Sequence, residues 1–531
     1  MNSEDHLAAL VKCKANDFGP KTFLVDGERH LTFSEAERWM AAFADQLRSL
    51  GVRPGDRVCV LLPNVIETAV AFFAISAAGA VIVPLNIRMR PEEIRDVLVT
   101  LRPSAVIAAP RFMTNPIEER LRSALRDAQM YGNVPIVTVG MAAQDSITHE
   151  MTGLPDPAKR QDVIIAAPPE ELICFWTSGT TGKPKGVVHG RSVVSNVANW
   201  TSLLGYGTED VVLATRPFYY ISGCCWALFG SLLNGCTLIL NPTLAATESL
   251  RLLEKHKVTL MLGGPSVYVQ LMALDGLAQA RPNLALKKGF FGGEAIRSGF
   301  VERVRTELGL CRLVQTYGMT ELQGFAASTE PGDPVEVIED SVGFPLPGFE
   351  FSLHDEQGRE IVEADREGEL WVRGRLFRAY IRSNGLDPGR DDEGWFHTGD
   401  RFLRRHDGRW SYRGRIRDVA KVKGESVWLG EIDGVLEGYP GVRRAVAVVV
   451  EQDDLGDVIG CVVESEVGAC VDADELARYC RERMAPFKVP RRLAVMPAGF
   501  SWPVSVSGKV QRDGVRCWLE SAPAASGGAG S

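Results

Sequence analysis

From Thr177 to Val187 the chain reads Thr-Ser-Gly-Thr-Thr-Gly-Lys-Pro-Lys-Gly-Val, and most residue types in it answer a need of a bound polyphosphate. Glycines Gly179, Gly182 and Gly186 let backbone N–H groups approach an anion. The hydroxyls of Thr177, Ser178, Thr180 and Thr181 can donate hydrogen bonds, and Lys183 and Lys185 bring neutralising charge. The run differs from the Walker phosphate loop, because Pro184 follows Lys183 where that motif carries Ser or Thr. Proline also fixes one backbone angle of the loop.

The elements around this run must hold it in place. Before it, the apolar stretch Leu172 to Trp176 reads as a buried strand; after it, Ser192 to Leu204 has a helical pattern, so the expected layout is strand, loop, helix. Upstream, strands at Val58–Leu62, Val81–Val83 and Ser104–Ala109 alternate with helices at Ile66–Ala78 and Pro91–Leu101. Such alternation predicts an α/β fold with parallel sheet covered by helices, with ligands beyond the carboxyl ends of the strands. Further strands are expected at Val211–Leu213, Thr237–Leu240 and Thr259–Leu262, after a polar connection over Gln144–Pro169. From Gly343 to Trp410 short strands with Gly, Asp and Pro turns predict a β-rich subdomain, and a compact α+β pattern then runs to about Leu519. The Ala/Gly/Ser/Pro tail is expected to be disordered.

The 531 residues suffice for more than one domain, and 45% apolar residues for a large core. Lys and Arg number 59 against 67 Asp and Glu, a net −8, which argues against a general nucleic-acid binder. Eleven cysteines include no C-x-x-C pair, and Cys224–Cys225 reads as two small apolar residues. The start has neither a basic segment nor an apolar one, and the apolar stretch Ala69–Leu85 is broken by Ser76, Gly79 and Pro84. A cytoplasmic protein without a membrane span is expected.

The loop is the first of several motifs in a fixed order. It is followed by Gly292-Gly293-Glu294-Ala295, Tyr317-Gly318-Met319-Thr320-Glu321, Gly368 to Gly374, Gly394 to Asp400, Gly414-Arg415 with Gly424, and Ser507-Gly508-Lys509. From about Leu31 to Arg512 the chain resembles the adenylate-forming superfamily of acyl-CoA synthetases, adenylation domains and luciferases, most of all a stand-alone acyl-CoA or aryl-CoA ligase. The resemblance implies a large adenylation domain over 1–412, a hinge over 413–418 pivoting at Arg417, and a small mobile domain over 419–520 ahead of the tail 521–531. It also implies two steps: a carboxylate attacks the α-phosphate of ATP, and the thiol of coenzyme A then displaces AMP.

By the same resemblance the 177–187 loop holds the β- and γ-phosphates. Tyr317 stacks on adenine opposite Gly293, Glu294 and Ala295. Thr320 donates to the α-phosphate and Glu321 holds Mg²⁺. Asp400 accepts from both ribose hydroxyls beside Arg415, Lys509 bridges phosphate and carboxylate oxygens, and Gly424 lines the pantetheine tunnel. The acyl pocket falls on Pro217–Gly223, with Tyr220 as its screen and Trp226, Gly264, Phe291, Gly318 and Met319 as further lining. Aromatic walls favour a flat aromatic or medium-size acid. Ser426, two residues after Gly424, stands where many relatives carry arginine, and Val448–Asp453 lacks a Gly-x-Pro-Asp turn. Other acceptors therefore stay open: an amine, a carrier-protein thiol, or nitrite for N–N bond formation. A non-catalytic nucleotide sensor is a further alternative, opposed by the presence of Lys509, Glu321 and Asp400. A homodimer is compatible with the resemblance, though no residue marks one.

Overall fold

The computed structural model describes the chain apart from residues 1–5, 141–164, 167–169, 178–184, 295, 297, 383–384, 417–418, 423–424, 453–455, 487, 497–500, 505–509 and 522–531. The side chains of 419, 421–422, 425–426, 428, 451–452 and 456–457 are also outside the description. The chain divides into two compact units. The first comprises residues 1–351, 372–396 and 408–410; the second comprises 352–371, 397–407 and 411–531.

The first unit is built on two large sheets. Among the described residues one has eight strands, in the order Gly385–Asp387, Ala379–Arg382, Lys185–Gly190, Glu171–Thr177, Val81–Pro84, Arg57–Leu61, Ala105–Ala108 and Ile136–Thr138. It is parallel from Glu171–Thr177 to Ile136–Thr138 and antiparallel through the first three strands. Helix Ile66–Ala77 is buried along its whole length, which explains its apolar sequence. Its one charge, Glu67, is fully buried and pairs with Arg29 at 2.5 Å, and Arg29 also bonds Asp26.

The other sheet has nine described strands: Phe344–Pro345, Ala327–Ser328, Arg312–Tyr317, Lys288–Gly292, Leu260–Gly263, Val211–Leu213, Thr237–Ile239, Thr22–Asp26 and Arg29–Thr32. Its middle is parallel and both edges are antiparallel. Local signals place the helices beside it: Thr32 and Glu35 form a reciprocal capping box at the start of Phe33–Ser49.

One local expectation needs correction. The phosphate-type loop is followed by a strand, Lys185–Gly190, before helix Ser192–Leu204 begins. Its apolar core is only Val187-Val188, between Gly186 and His189, too short to read as a strand alone. Pairing on both sides creates it, with Glu171–Thr177 on one and Ala379–Arg382 on the other. Thr177 and Lys185 therefore stand opposite each other.

The second unit contains the strands of a four-stranded sheet, ordered Phe349–His354, Glu367–Gly374, Phe396–Arg404 and Trp410–Arg415, whose residues 352–371, 397–407 and 411–415 fall in it. It continues with the ribbon Val419–Val422 and Glu425–Trp428. A three-stranded sheet of Val442–Gln452, Gly456–Ser465 and Arg492–Met496 carries the rest. Helices Leu429–Glu437 and Ala473–Arg483 pack with Val442, Ala447, Ile459 and Val463 in one core, and Arg512–Ser521 with Val446, Val450 and Val462 in another. Among the described residues no helix is long and apolar enough to cross a membrane.

Candidate active site

Strand Arg312–Tyr317 ends at a tight turn, Gly318-Met319, and a single 3₁₀ turn over Thr320–Leu322. A side chain at Gly318 would place its Cβ 1.8 Å from the Gly324 carbonyl oxygen, so the turn closes only with glycine there. Gln323, buried and at φ 56°, ties the turn down: its amide donates to Ser192 Oγ at 2.8 Å and to the Leu376 carbonyl at 3.1 Å. Asn196 donates to the Phe325 carbonyl from the other side at 3.1 Å.

This turn presents Glu321. Its Oε1 lies 3.1 Å from Lys185 Nζ and accepts the Tyr380 hydroxyl at 2.9 Å. The Lys185 ammonium stands 3.6 Å from the centre of the Tyr380 ring. Lys185 and Glu321 are only 15% and 13% exposed, so little water screens the pair. Burial, and then the Glu321 anion, push the Tyr380 phenol well above its usual pKa, so it remains a donor. The backbone is joined too, as Phe377 N–H donates to the Glu321 carbonyl at 2.9 Å. A lysine, a carboxylate and a phenol thus meet at the foot of the glycine-threonine loop. The Glu321 carboxylate suits a hard cation such as Mg²⁺, and no cluster of three His, Cys, Asp or Glu ligands exists among the described residues.

The remaining expected residues of the first unit are spread around this turn. Tyr317 is buried, its ring edge-on to Phe351 at 6.4 Å. Gly293 is exposed at φ 81°, and the Glu294 carboxylate accepts from the backbone and hydroxyl of Ser266, both at 3.1 Å. Gly264 borders that carboxylate: an added Cβ would come within 2.6 Å of it. Thr177 ends the strand opposite Lys185. In the second unit the carboxylate of Asp400, almost fully buried, lies 2.8 Å from Arg415 Nε. Ser178, Gly179, Thr180, Thr181, Gly182, Lys183, Ala295, Arg417, Gly424 and Lys509 lie outside the described residues.

Around the expected acyl pocket the structure sorts the aromatic residues. The segment after Tyr220 becomes a π-helical turn, Ser222–Phe229, a rare form that often marks a functional site. Trp226 stacks on Phe325 at 4.0 Å and meets the edge of Phe290, while its indole N–H is buried without a hydrogen-bond partner. Phe291 takes the opposite face of its strand and is fully buried against Phe300 in the core, so Phe290 is the residue beside Trp226. Phe290 and Phe291 point opposite ways, as adjacent strand residues do. The Tyr220 hydroxyl accepts from Asn86 Nδ2 at 3.1 Å, and burial raises its pKa. Asn64 clamps the backbone just before, donating to the Arg216 carbonyl and accepting from Phe218 N–H, both at 2.8 Å. A cavity of about 190 Å³ opens beside Tyr219, lined by Asn64, Ile87, Arg88, Phe112 and Pro217 among others.

Sequence reasoning missed Tyr380, Asn64 and Asn86. Asn64 and Asn86 had a faint signal, each a polar residue closing an apolar strand where turns are expected. Tyr380 had none, because its partner Lys185 is far away along the chain.

The family model described as AMP-binding enzyme matches residues 11–381. A curated relative from Rhodococcus jostii (strain RHA1), a 3-[(3aS,4S,7aS)-7a-methyl-1,5-dioxo-octahydro-1H-inden-4-yl]propanoyl:CoA ligase, is 29% identical over 525 residues. That alignment covers 96% of this chain and 98% of the relative. A benzoate CoA ligase from Burkholderia xenovorans LB400 superposes with a TM-score of 0.81 at 24% identity, covering 96% of this chain and 99% of its own. The amide bond synthetase McbA from Marinactinospora thermotolerans gives 0.82 at 24% identity, covering 97% and 99%.

Proposed function

Since the chain belongs to the AMP-binding enzyme family and is a ligase of the acyl-CoA synthetase type, like its CoA-ligase relatives, we propose that it joins an aromatic or medium-size carboxylic acid to coenzyme A through an acyl-adenylate. The observation that carries the site assignment is the meeting of Lys185, Glu321 and Tyr380 at the foot of the loop.

In the first step an oxygen of the acid attacks the α-phosphorus of ATP, and the bond to pyrophosphate breaks. The loop and Lys185 would hold the departing β- and γ-phosphates, Thr320 would donate to the α-phosphate, and Lys509 would stabilise charge growing between phosphate and carboxylate. Glu321 would hold Mg²⁺, which supplies charge neutralisation at the phosphates when bound. Tyr317, Gly293, Glu294 and Ala295 would seat adenine, and Asp400 with Arg415 the ribose. In the second step the thiol sulfur attacks the acyl carbon, AMP leaves as its anion and the thiol proton passes to solvent. Gly424 would line the route of the thiol arm after rotation about Arg417, with the domain limits at 412 and 419.

The acid is proposed from the walls assigned to its pocket: Tyr220, held by Asn86, and Trp226, packed on Phe290 and Phe325, would set an aromatic wall beside the turn at Gly318-Met319, which suits a flat molecule. Mass spectrometry of reactions with ATP, Mg²⁺ and a panel of aryl and alkyl acids, with and without coenzyme A, tests the whole reading. A coenzyme A thioester of an aryl acid is expected. AMP and pyrophosphate with no thioester would overturn the acceptor and direct attention to amines, carrier-protein thiols and nitrite. No turnover of any acid would leave nucleotide sensing as the reading.

A further inference from the structure

Strand Glu367–Gly374 lies next to strand Phe396–Arg404 in the four-stranded sheet, and the two hold an arrangement behind Asp400. Gly399 N–H donates to Glu369 Oε1 at 3.0 Å, while the Trp371 indole N–H donates to Glu369 Oε2 at 3.0 Å. Both carboxylate oxygens are therefore engaged. Trp371 is in turn stacked between two imidazoles, His354 at 3.7 Å and His397 at 3.8 Å, with ring planes 11° and 10° apart. Gly399 sits inside its strand at φ 68°, a left-handed conformation that favours glycine.

The next residue is held as firmly. Thr398 Oγ1 donates to the Leu370 carbonyl at 2.7 Å and accepts from Asp400 N–H at 3.1 Å. Arg415 reaches the Thr398 carbonyl at 3.3 Å and the Asp400 carboxylate at 2.8 Å. The Glu369 carboxylate is the charged group fixing the turn from the strand beside it.

We propose that Glu369, braced by Trp371, is a positioning residue for nucleotide recognition: it fixes the Gly399 turn so that Asp400 meets both hydroxyls of a ribose. This rests on the reading of Asp400 as the ribose-binding carboxylate. A carboxylate accepts from two vicinal hydroxyls only in one orientation, so loosening the turn removes the preference for a ribose that carries them. Contacts to base and phosphate do not pass through Glu369.

The test is calorimetric titration of the full chain with AMP and with 2′,3′-dideoxyAMP, which needs no knowledge of the acid. Wild type is expected to prefer AMP by at least about 100-fold, as two hydrogen bonds to a charged acceptor imply. Glu369→Leu is expected to cut that preference to under about 10-fold, within the range for loss of an orienting partner. Its affinity for dideoxyAMP should stay within about 2-fold of wild type. Glu369→Gln, whose amide oxygen still accepts from Gly399 N–H, should keep most of the preference, and Trp371→Phe should fall between. A Glu369→Leu protein with undiminished preference overturns the proposal, and so does one that loses both ligands equally. Should Glu369→Leu fail to fold, an unchanged preference in Trp371→Phe overturns it. A wild type that does not distinguish the two ligands overturns the Asp400 reading itself.

Discussion

At the scale of single residues, the group with the clearest consequence is Tyr380. Its hydroxyl gives Glu321 a neutral donor beside the Lys185 cation, so Tyr380→Phe removes one hydrogen bond and keeps the ring under the ammonium. Loss of a hydrogen bond to a charged acceptor is worth about 1.5–3 kcal/mol. ATP–pyrophosphate exchange should therefore fall about 10- to 100-fold at fixed Mg²⁺, with the fold retained by circular dichroism. Glu321→Gln should be worse and should raise the Mg²⁺ concentration needed for half-maximal rate; an unchanged Mg²⁺ requirement would remove Glu321 from the cation. His189, on the strand that begins at Lys185, has both ring nitrogens buried without hydrogen-bond partners, and burial pulls its pKa down to about 3. The unfolded chain takes up a proton near pH 6.5 that the folded one refuses, so His189 lowers stability progressively as pH falls from about 6.5 towards 3. The slope is about 1.4 kcal/mol per pH unit from this group. Urea midpoints across that window should flatten in His189→Leu. None of this was legible beforehand. The loop advertised its chemistry through local composition, but a phenol and an imidazole matter only through neighbours that folding brings to them.

At the scale of elements, the apolar runs at 58–62, 81–83 and 211–213 named their strands well, because each is buried on both faces and ends at proline, glycine or a charged turn. The strand Lys185–Gly190 was hidden for the opposite reason: pairing with distant segments makes it, and two valines between Gly186 and His189 carry no periodicity. The π-helical turn was equally silent, since its composition is that of any buried helix. In the second unit, helix Leu429–Glu437 is tied to helix Arg512–Ser521 by a partly buried ion pair, Asp433 to Arg512 at 2.6 Å. Burial raises the Asp433 pKa to about 6, with the Arg512 cation opposing it. An acid whose folded pKa is raised holds its proton better folded than unfolded. Its stabilising contribution is full below about pH 4 and is lost as pH rises through about 6. Asp433→Asn should abolish that part of the pH dependence in chemical denaturation. At neutral pH it should also weaken the tie to Arg512, just downstream of Lys509.

At the scale of the whole molecule, order along the chain carried more information than any single motif. Thr177, Glu321, Asp400 and Lys509 are spread over most of the sequence, and the AMP-binding enzyme model covers residues 11–381 of it. Lys509→Ala is expected to abolish pyrophosphate exchange while ATP binding by calorimetry stays within about 3-fold, since the lysine is assigned to the transition state; unchanged exchange would end that assignment. The acid remained the least legible feature, because Tyr220, Trp226 and Phe290 are drawn from the same alphabet as the core. The contact of Arg29 with Glu67 and Asp26 bears on how such a chain can change over generations. Removing Arg29 strands two buried carboxylates and should cost about 3–5 kcal/mol, whereas replacing the trio together by apolar residues of like volume can be neutral. In a survey of single replacements Arg29 would look indispensable. A way out exists through the carboxylates, since losing Asp26 or Glu67 first leaves Arg29 with one balancing partner, and the order of replacements then decides which changes are tolerated.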